Sequence, residues 1–278
     1  MFDTLFKEEL DAIHLHLRLV LSTYAACPLS ELELFWECME YSLFSEGKRF
    51  RPLLSMLTAK ALEHPAEAVL PLAAAVELVH TYSLIHDDLP AMDNDDIRRG
   101  RPTNHKVYGE MRALLAGDAL LTLAFGVLAQ ARSAPAARVV HMLSDAAGPR
   151  GMVGGQVLDM AAERPRLELL KEIHARKTGA LIRVAVAGAA VLCGVPSDVE
   201  MRFSRFGEEL GMAFQLADDL QDYNPAHPEK VSFVTTLGPE ATRAHLAQAS
   251  ARALAELESL PPSAEGLRRM IRLNQERV

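Results

Sequence analysis

Apolar residues recur at intervals of three and four along nearly the whole chain, and period-two alternation is scarce. The pattern predicts helices over 3–25, 30–44, 48–62, 66–88, 107–131, 135–147, 150–162, 166–193, 197–223, 239–257 and 263–275. Turn chemistry separates several of them: Cys27-Pro28, His64-Pro65, Gly194-Val195-Pro196 and Pro261-Pro262. Ser30 and Ser197 precede Glu33 and Glu200 by three residues, which predicts two capping boxes. The apolar stretches 113–130 and 179–195 carry Asp118 and Arg183 in their middles, so both read as buried helices rather than stable membrane spans. No linker or composition shift divides the chain. The expected architecture is all-α, a single helical bundle over 1–278 with ligands held between helices.

Composition narrows the function. Of the 278 residues, 49% are apolar and 24% charged, enough apolar material for a sizeable core. The net charge of -8, with no basic block, argues against a nucleic-acid partner. Cys27, Cys38 and Cys193 have neither the number nor the spacing of a disulfide framework or zinc site, and the first residues lack an apolar signal core. Both features lead us to expect a cytoplasmic protein.

Two acidic clusters carry the candidate chemistry. In the first, Asp87 and Asp88 end an apolar helix, Pro90 opposes its continuation, and Asp93, Asn94, Asp95 and Asp96 follow in the turn. Carboxylates packed so closely repel one another unless solvent or cations compensate. Mg2+ takes one or two carboxylates and completes its shell with water and phosphate oxygens, while guanidinium forks such as those of Arg98 and Arg99 match phosphate. Acids for a metal beside arginines for phosphate make a diphosphate site; the plainer alternative is a solvated acidic turn followed by a basic one. In the second cluster, Asp218 and Asp222 are four apart and share a helix face, with Asp219 beside them. An apolar run leads into these acids, which suggests a pocket mouth; a frayed, solvated helix end is the competing reading. If both clusters act on one diphosphate, several metal ions can neutralise it as it departs.

These residues lie in motifs that resemble the trans-polyprenyl diphosphate synthases of the short-chain, farnesyl and geranylgeranyl type. The matching stretches are GKRFRP at 47–52, HTYSLIHDDLPAMDNDDIRRGRPTNHKVYGE at 80–110, AGDALL at 116–121, GGQVLDM at 154–160, KTGALI at 177–182 and GMAFQLADDLQD at 211–222. The resemblance implies a helical bundle of the isoprenoid synthase type with a central active-site cavity. It implies Asp87, Asp88 and Asp93 as one Mg2+-binding motif and Asp218, Asp219 and Asp222 as another, with several ions bound together with substrate. It places Arg98, Lys177 and Gln215 on the allylic diphosphate, with Thr178 and Phe214 beside them. Gly47, Lys48, Arg51, His80 and Arg99 would hold isopentenyl diphosphate, and the family usually forms homodimers.

The residue types agree with those roles. Lys48 and Arg51 stand near a predicted helix start, where backbone N–H groups favour an anion. His80 and Asp87 are seven apart and fall on one helix face. Tyr82 lies about 7.5 Å along the helix from Asp87, and Ser83 points closer to the direction of Asp87. The first aspartate motif resembles the form with two extra residues, Pro90 and Ala91 or their neighbours; in bacterial farnesyl synthases of that form an aromatic at the Tyr82 position resembles a floor to the product tunnel, so a C15 product is expected, with Tyr82 as a plain core aromatic the alternative. The stretch 224–233 is short for the family, with Lys230 the candidate for a later family lysine, and the end LNQERV is not an Arg-Lys tail. Other readings are a geranylgeranyl diphosphate synthase, a class I terpene cyclase and a non-catalytic partner subunit. Lys48, Arg51 and His80 argue against the cyclase, and two intact acid clusters argue against the inert subunit.

Overall fold

The computed structural model describes residues 2–26, 29–131, 135–162, 166–226 and 231–278. Among them the chain is helical apart from a two-stranded ribbon. The Cys27-Pro28 break and Lys230 lie outside the described residues.

The chain separates into two compact units, Met1–Leu53 with Leu70–Arg132, and Leu54–Val69 with Ser133–Val278. The first contains α1 (Phe2–Leu5), α2 (Lys7–Ala25), α3 (Glu33–Leu43), the start of α4 (Phe50–Ala61), α5 (Leu70–Asp87), β1 (Ile97–Arg98), β2 (Arg101–Pro102), α6 (Asn104–Tyr108) and α7 (Glu110–Ala129). Its centre is α5, on which Leu72 to Val79 are all buried. The close approach of α7 is set by Gly117, where a Cβ would sit 2.0 Å from the His86 ring. The small residue of AGDALL therefore makes room for the imidazole that precedes the acid pair.

The second unit contains α8 (Ala136–Ala147), α9 (Met152–Ala161), α10 (Leu167–His174), α11 (Ala180–Leu192), α12 (Ser197–Asp222), α13 (Phe233–Leu237), α14 (Pro239–Glu256) and α15 (Glu265–Gln275), besides the rest of α4. Residues 181–192 of α11 are buried except Arg183, which reaches out to Glu208, so the stretch 179–195 is a core helix as expected. Beneath the end of α12, Leu170, Ala213, Leu216, Ala217, Phe233, Leu246 and Ala249 form one apolar cluster.

Several local expectations are corrected. Neither Ser30 nor Ser197 caps a helix; the N-cap positions are Leu29 and Pro196, without side-chain cap bonds, and Glu200 instead grips Arg138 through two hydrogen bonds of 2.7 and 3.0 Å. The capping box present is Ser232 with Thr235, at the head of α13, a helix the apolar pattern did not predict. Gly109, at φ 84, divides the predicted 107–131 helix into α6 and α7, because an L-residue resists that backbone angle. The stretch 113–130 is buried on one side only: Leu114 and Leu115 are exposed, as is Met111 just before it on α7. Among the described residues, two helices, Ala66–Asp87 and Glu110–Ala129, are long and apolar enough to cross a membrane by length and composition; the first is mostly buried in the protein and the second about half buried. Finally, the predicted 166–193 helix is interrupted by a π-helical turn at Ala175–Gly179.

Candidate active site

In the first unit, α5 delivers His80, Tyr82, Ser83 and Asp87 from successive turns, and Asp88 follows its last residue. Asp88 is buried, and Arg98 Nε donates to its Oδ1 at 2.6 Å; a second Arg98 nitrogen lies 3.6 Å from Asp95. Burial pushes the Asp88 carboxyl up and the Arg98 hydrogen bond pulls it back. Asp93, Asp95 and Asp96 are exposed, and Lys106 pairs with Asp96 at 2.7 Å. The turn is closed by the Asp93 N–H donating to the Asp87 carbonyl at 2.9 Å, and Asn94 adopts φ 53, which asparagine tolerates better than most residues. The ribbon β1–β2 then returns the chain so that Arg98 faces back onto Asp88.

The residues expected to hold isopentenyl diphosphate come together here. Arg99 donates to Ser45 Oγ at 3.2 Å and crosses Gly47 so closely that a Cβ there would lie 2.7 Å from its guanidinium. Burial holds His80 neutral well below 6.5, and the charges of Arg51, Arg99, Arg49 and Arg98 press the same way. Lys48 is exposed on the wall of a cavity of about 880 Å³ between α2 and the loop before α4, lined also by Lys7, Asp11, His14, Ser45 and Gly47 and not by Arg51, His80 or Arg99. Lys48 precedes α4 rather than starting it, because Arg49 takes a left-handed φ of 46. Tyr82 is buried with its ring edge-on to His86 at 5.6 Å, and burial raises its hydroxyl to about 12, helped by Asp87. Ser83 Oγ donates to the His80 carbonyl at 2.9 Å.

The second unit assembles the other half of the predicted set. Lys177 and Thr178 sit in the π-helical turn, a feature common at functional sites because it displaces side chains from the regular helical register. A Cβ on Gly155 would lie 2.4 Å from the Lys177 backbone nitrogen, so the glycine of GGQ lets α9 reach the turn. Lys177 Nζ meets Asp159 at 2.6 Å. Thr178 donates to Gln215 at 3.0 Å, and Gln215 donates to Asp219 Oδ1 at 2.9 Å. Asp219 is buried; its second oxygen accepts the Phe233 N–H at 2.7 Å and lies 3.9 Å from His174 Nε2. A carboxylate at the first N–H of α13 satisfies a donor that the short helix cannot. Asp218 pairs with Arg277, whose guanidinium also lies 4.8 Å from the centre of the Phe214 ring. Asp222 is exposed at the end of α12.

Asp159, His174 and Arg277 were missed from the sequence. Asp159 lay within the quoted GGQVLDM motif, and its charge was the available signal. His174 and Arg277 gave none, since only folding brings them to α12. Burial lowers His174, while Asp219 draws it upward.

Among the described residues, no three side chains of metal-ligating type form a closed cage. Clustered carboxylates that leave part of the shell to phosphate oxygens suit Mg2+, which takes few protein ligands.

A helical scaffold with two aspartate clusters and matched cationic side chains defines a class that binds diphosphate esters. Comparison with known proteins agrees. The family model described as polyprenyl synthetase matches residues 32–231. A farnesyl diphosphate synthase of Geobacillus stearothermophilus is 47% identical over 202 residues, 70% of this chain and 68% of its own. A geranylgeranyl diphosphate synthase of Cyanophora paradoxa is 45% identical over 194 residues, 67% of this chain and 65% of its own. The solved structure of an FPP/GFPP synthase from Zymomonas mobilis matches with a TM-score of 0.89 at 34% identity, covering 98% of this chain and 99% of that one. The chain belongs to the polyprenyl synthetase family and is a trans-prenyltransferase with the all-α isoprenoid synthase fold.

Proposed function

We propose that this enzyme condenses isopentenyl diphosphate with dimethylallyl or geranyl diphosphate, head to tail, and that its main product is the C15 farnesyl diphosphate. The observation that carries the reading is the gathering of Arg51, Arg98 and Arg99 about His80, with Arg99 crossing Gly47, the residue before exposed Lys48. A cyclase has no use for that second anion site.

Asp87, Asp88 and Asp93, and likewise Asp218, Asp219 and Asp222, are the residues that would hold Mg2+. When bound, the ions supply positive charge to the departing diphosphate. Arg98, Lys177 and Gln215 bind the allylic diphosphate, with Thr178 and Phe214 supporting them; each polar group already has a partner that substrate would replace or share. Lys48, Arg51, His80 and Arg99 hold isopentenyl diphosphate, with Gly47 leaving room for Arg99. As the allylic C–O bond breaks, its electron pair leaves with the diphosphate, and the double bond of isopentenyl diphosphate attacks the allylic carbon. A proton is then lost to the released diphosphate, which forms the new double bond. Orientation matters throughout, because a free cation meets water first.

Tyr82 closes the space behind Asp87 and limits the chain to C15. The exposed apolar side of α7, with Met111, Leu114 and Leu115, suits a homodimer contact, which light scattering would detect as twice 30.5 kDa. The deciding assay supplies geranyl diphosphate, isopentenyl diphosphate and Mg2+ and separates products by length. A linear C15 diphosphate is expected, and Tyr82→Ala should move product toward C20. A cyclic hydrocarbon or no product would defeat the assignment, and an unchanged Tyr82→Ala product would defeat the role of Tyr82.

A further inference from the structure

Arg49 stands between the two cationic residues expected to meet substrate, yet it faces the other way. Only 5% of it is exposed, and all three guanidinium nitrogens are committed within the protein. Nη1 donates to Glu77 Oε1 at 2.6 Å, Nη2 donates to the Ser45 carbonyl at 2.8 Å, and Nε donates to His14 Nε2 at 3.2 Å. His14 must therefore be neutral, with its proton on Nδ1. The Arg49–Glu77 pair is buried on both sides, at 3% and 4% side-chain exposure. Replacing such a pair with apolar residues of similar volume is often neutral or stabilising, so stability alone gives no reason to keep it. Arg49 also holds a left-handed φ of 46, an arrangement that persists only where surrounding contacts enforce it.

The contacts explain what that enforcement does. Glu77 lies one helical turn before His80 on α5, so the ion pair fixes the loop before α4 against the helix that carries His80. The grip on the Ser45 carbonyl sets the residue whose hydroxyl accepts from Arg99. The left-handed turn at Arg49 leaves Gly47 and Lys48 on the exposed side of the loop. We propose that Arg49 and Glu77, with His14 behind them, are positioning residues for the isopentenyl diphosphate site, acting on substrate only through Lys48, Arg99 and His80. The inference rests on the reading of those three residues as that site.

Initial rates with isopentenyl and geranyl diphosphate varied separately provide the test. In Arg49→Met/Glu77→Leu, which replaces the pair with apolar residues, KM for isopentenyl diphosphate should rise about tenfold. KM for geranyl diphosphate should stay within about twofold, with a thermal midpoint at or above that of the parent. Glu77→Gln, which keeps the shape and one acceptor, should show the same split and serves if the double variant does not fold. A folded variant with unaltered KM for isopentenyl diphosphate, or with both KM values raised alike, overturns the proposal. Lys48→Ala separates the two layers: if it leaves that KM unchanged, the site reading itself fails, whereas a rise with Lys48→Ala but not with Glu77→Gln removes only the role of Arg49 and Glu77.

Discussion

Asp88 and Asp219 are the buried acids of the two aspartate clusters, and they find their partners by different routes. Asp88 is served by Arg98, ten residues along the chain, because a turn and a short ribbon fold the arginine straight back. Asp219 has one local partner, Gln215, but its other oxygen takes the Phe233 N–H from another helix. Its neighbour Asp218 reaches Arg277, 59 residues away. The first cluster is therefore built from one continuous segment, while the second depends on the packing of α12 against α13 and α15. A short segment can be read as a motif; a packed arrangement cannot.

The largest expected effect tests whether this difference in construction carries into function. Asp87→Ala and Asp218→Ala should each lower kcat by about 10²–10³, the scale of losing one electrostatic element of a transition state. Equal losses at unchanged thermal midpoint mean that both clusters serve the same step. Near-normal turnover in either variant breaks that parity and removes its cluster from the mechanism.

Stability should separate the clusters next. Asp219→Ala strands the Phe233 N–H and should cost about 1–3 kcal/mol in urea unfolding. Asp93→Ala, at an exposed carboxylate, should stay within about 0.5 kcal/mol. Equal destabilisation by the two would show that Asp219 has no structural duty.

Acid should act more strongly through the first unit. The fold holds His80 neutral, with its folded value well below 6.5, while the unfolded chain takes up a proton near 6.5. Stability from this group is thus complete above about pH 6.5 and declines as pH falls through that value, by up to about 1.4 kcal/mol per pH unit. His174 is lowered too, but Asp219 opposes the shift. His80→Asn should therefore flatten the acid slope of unfolding free energy more than His174→Asn, and the reverse order would contradict this account of the two sites.

The smallest effect concerns Arg277. It competes with any cation for Asp218, and a partly exposed ion pair is worth about 1 kcal/mol at most. Arg277→Gln should accordingly tighten Mn2+ binding, measured by electron paramagnetic resonance with inorganic diphosphate present, by no more than about fivefold. Weaker binding would instead make the arginine part of the ion-diphosphate site.

By itself the sequence determined the helical class, from period-3.6 spacing, and both acid clusters, from carboxylates too close together for an ordinary helix end. It also marked Lys48, Arg51, His80, Arg98, Arg99, Lys177 and Gln215, because ordered motifs name them one by one. Periodicity was blind to the π-helical turn under Lys177 and to α13, since a one-residue shift and a five-residue helix leave almost no periodic signal. Proximity in space decided the rest: that Arg49 turns inward to Glu77, that Asp219 accepts the first N–H of α13, and that Arg277 rests on Asp218 and Phe214. Which of several similar charges meets which carboxylate is fixed by packed helices, and a linear pattern carries little of that information.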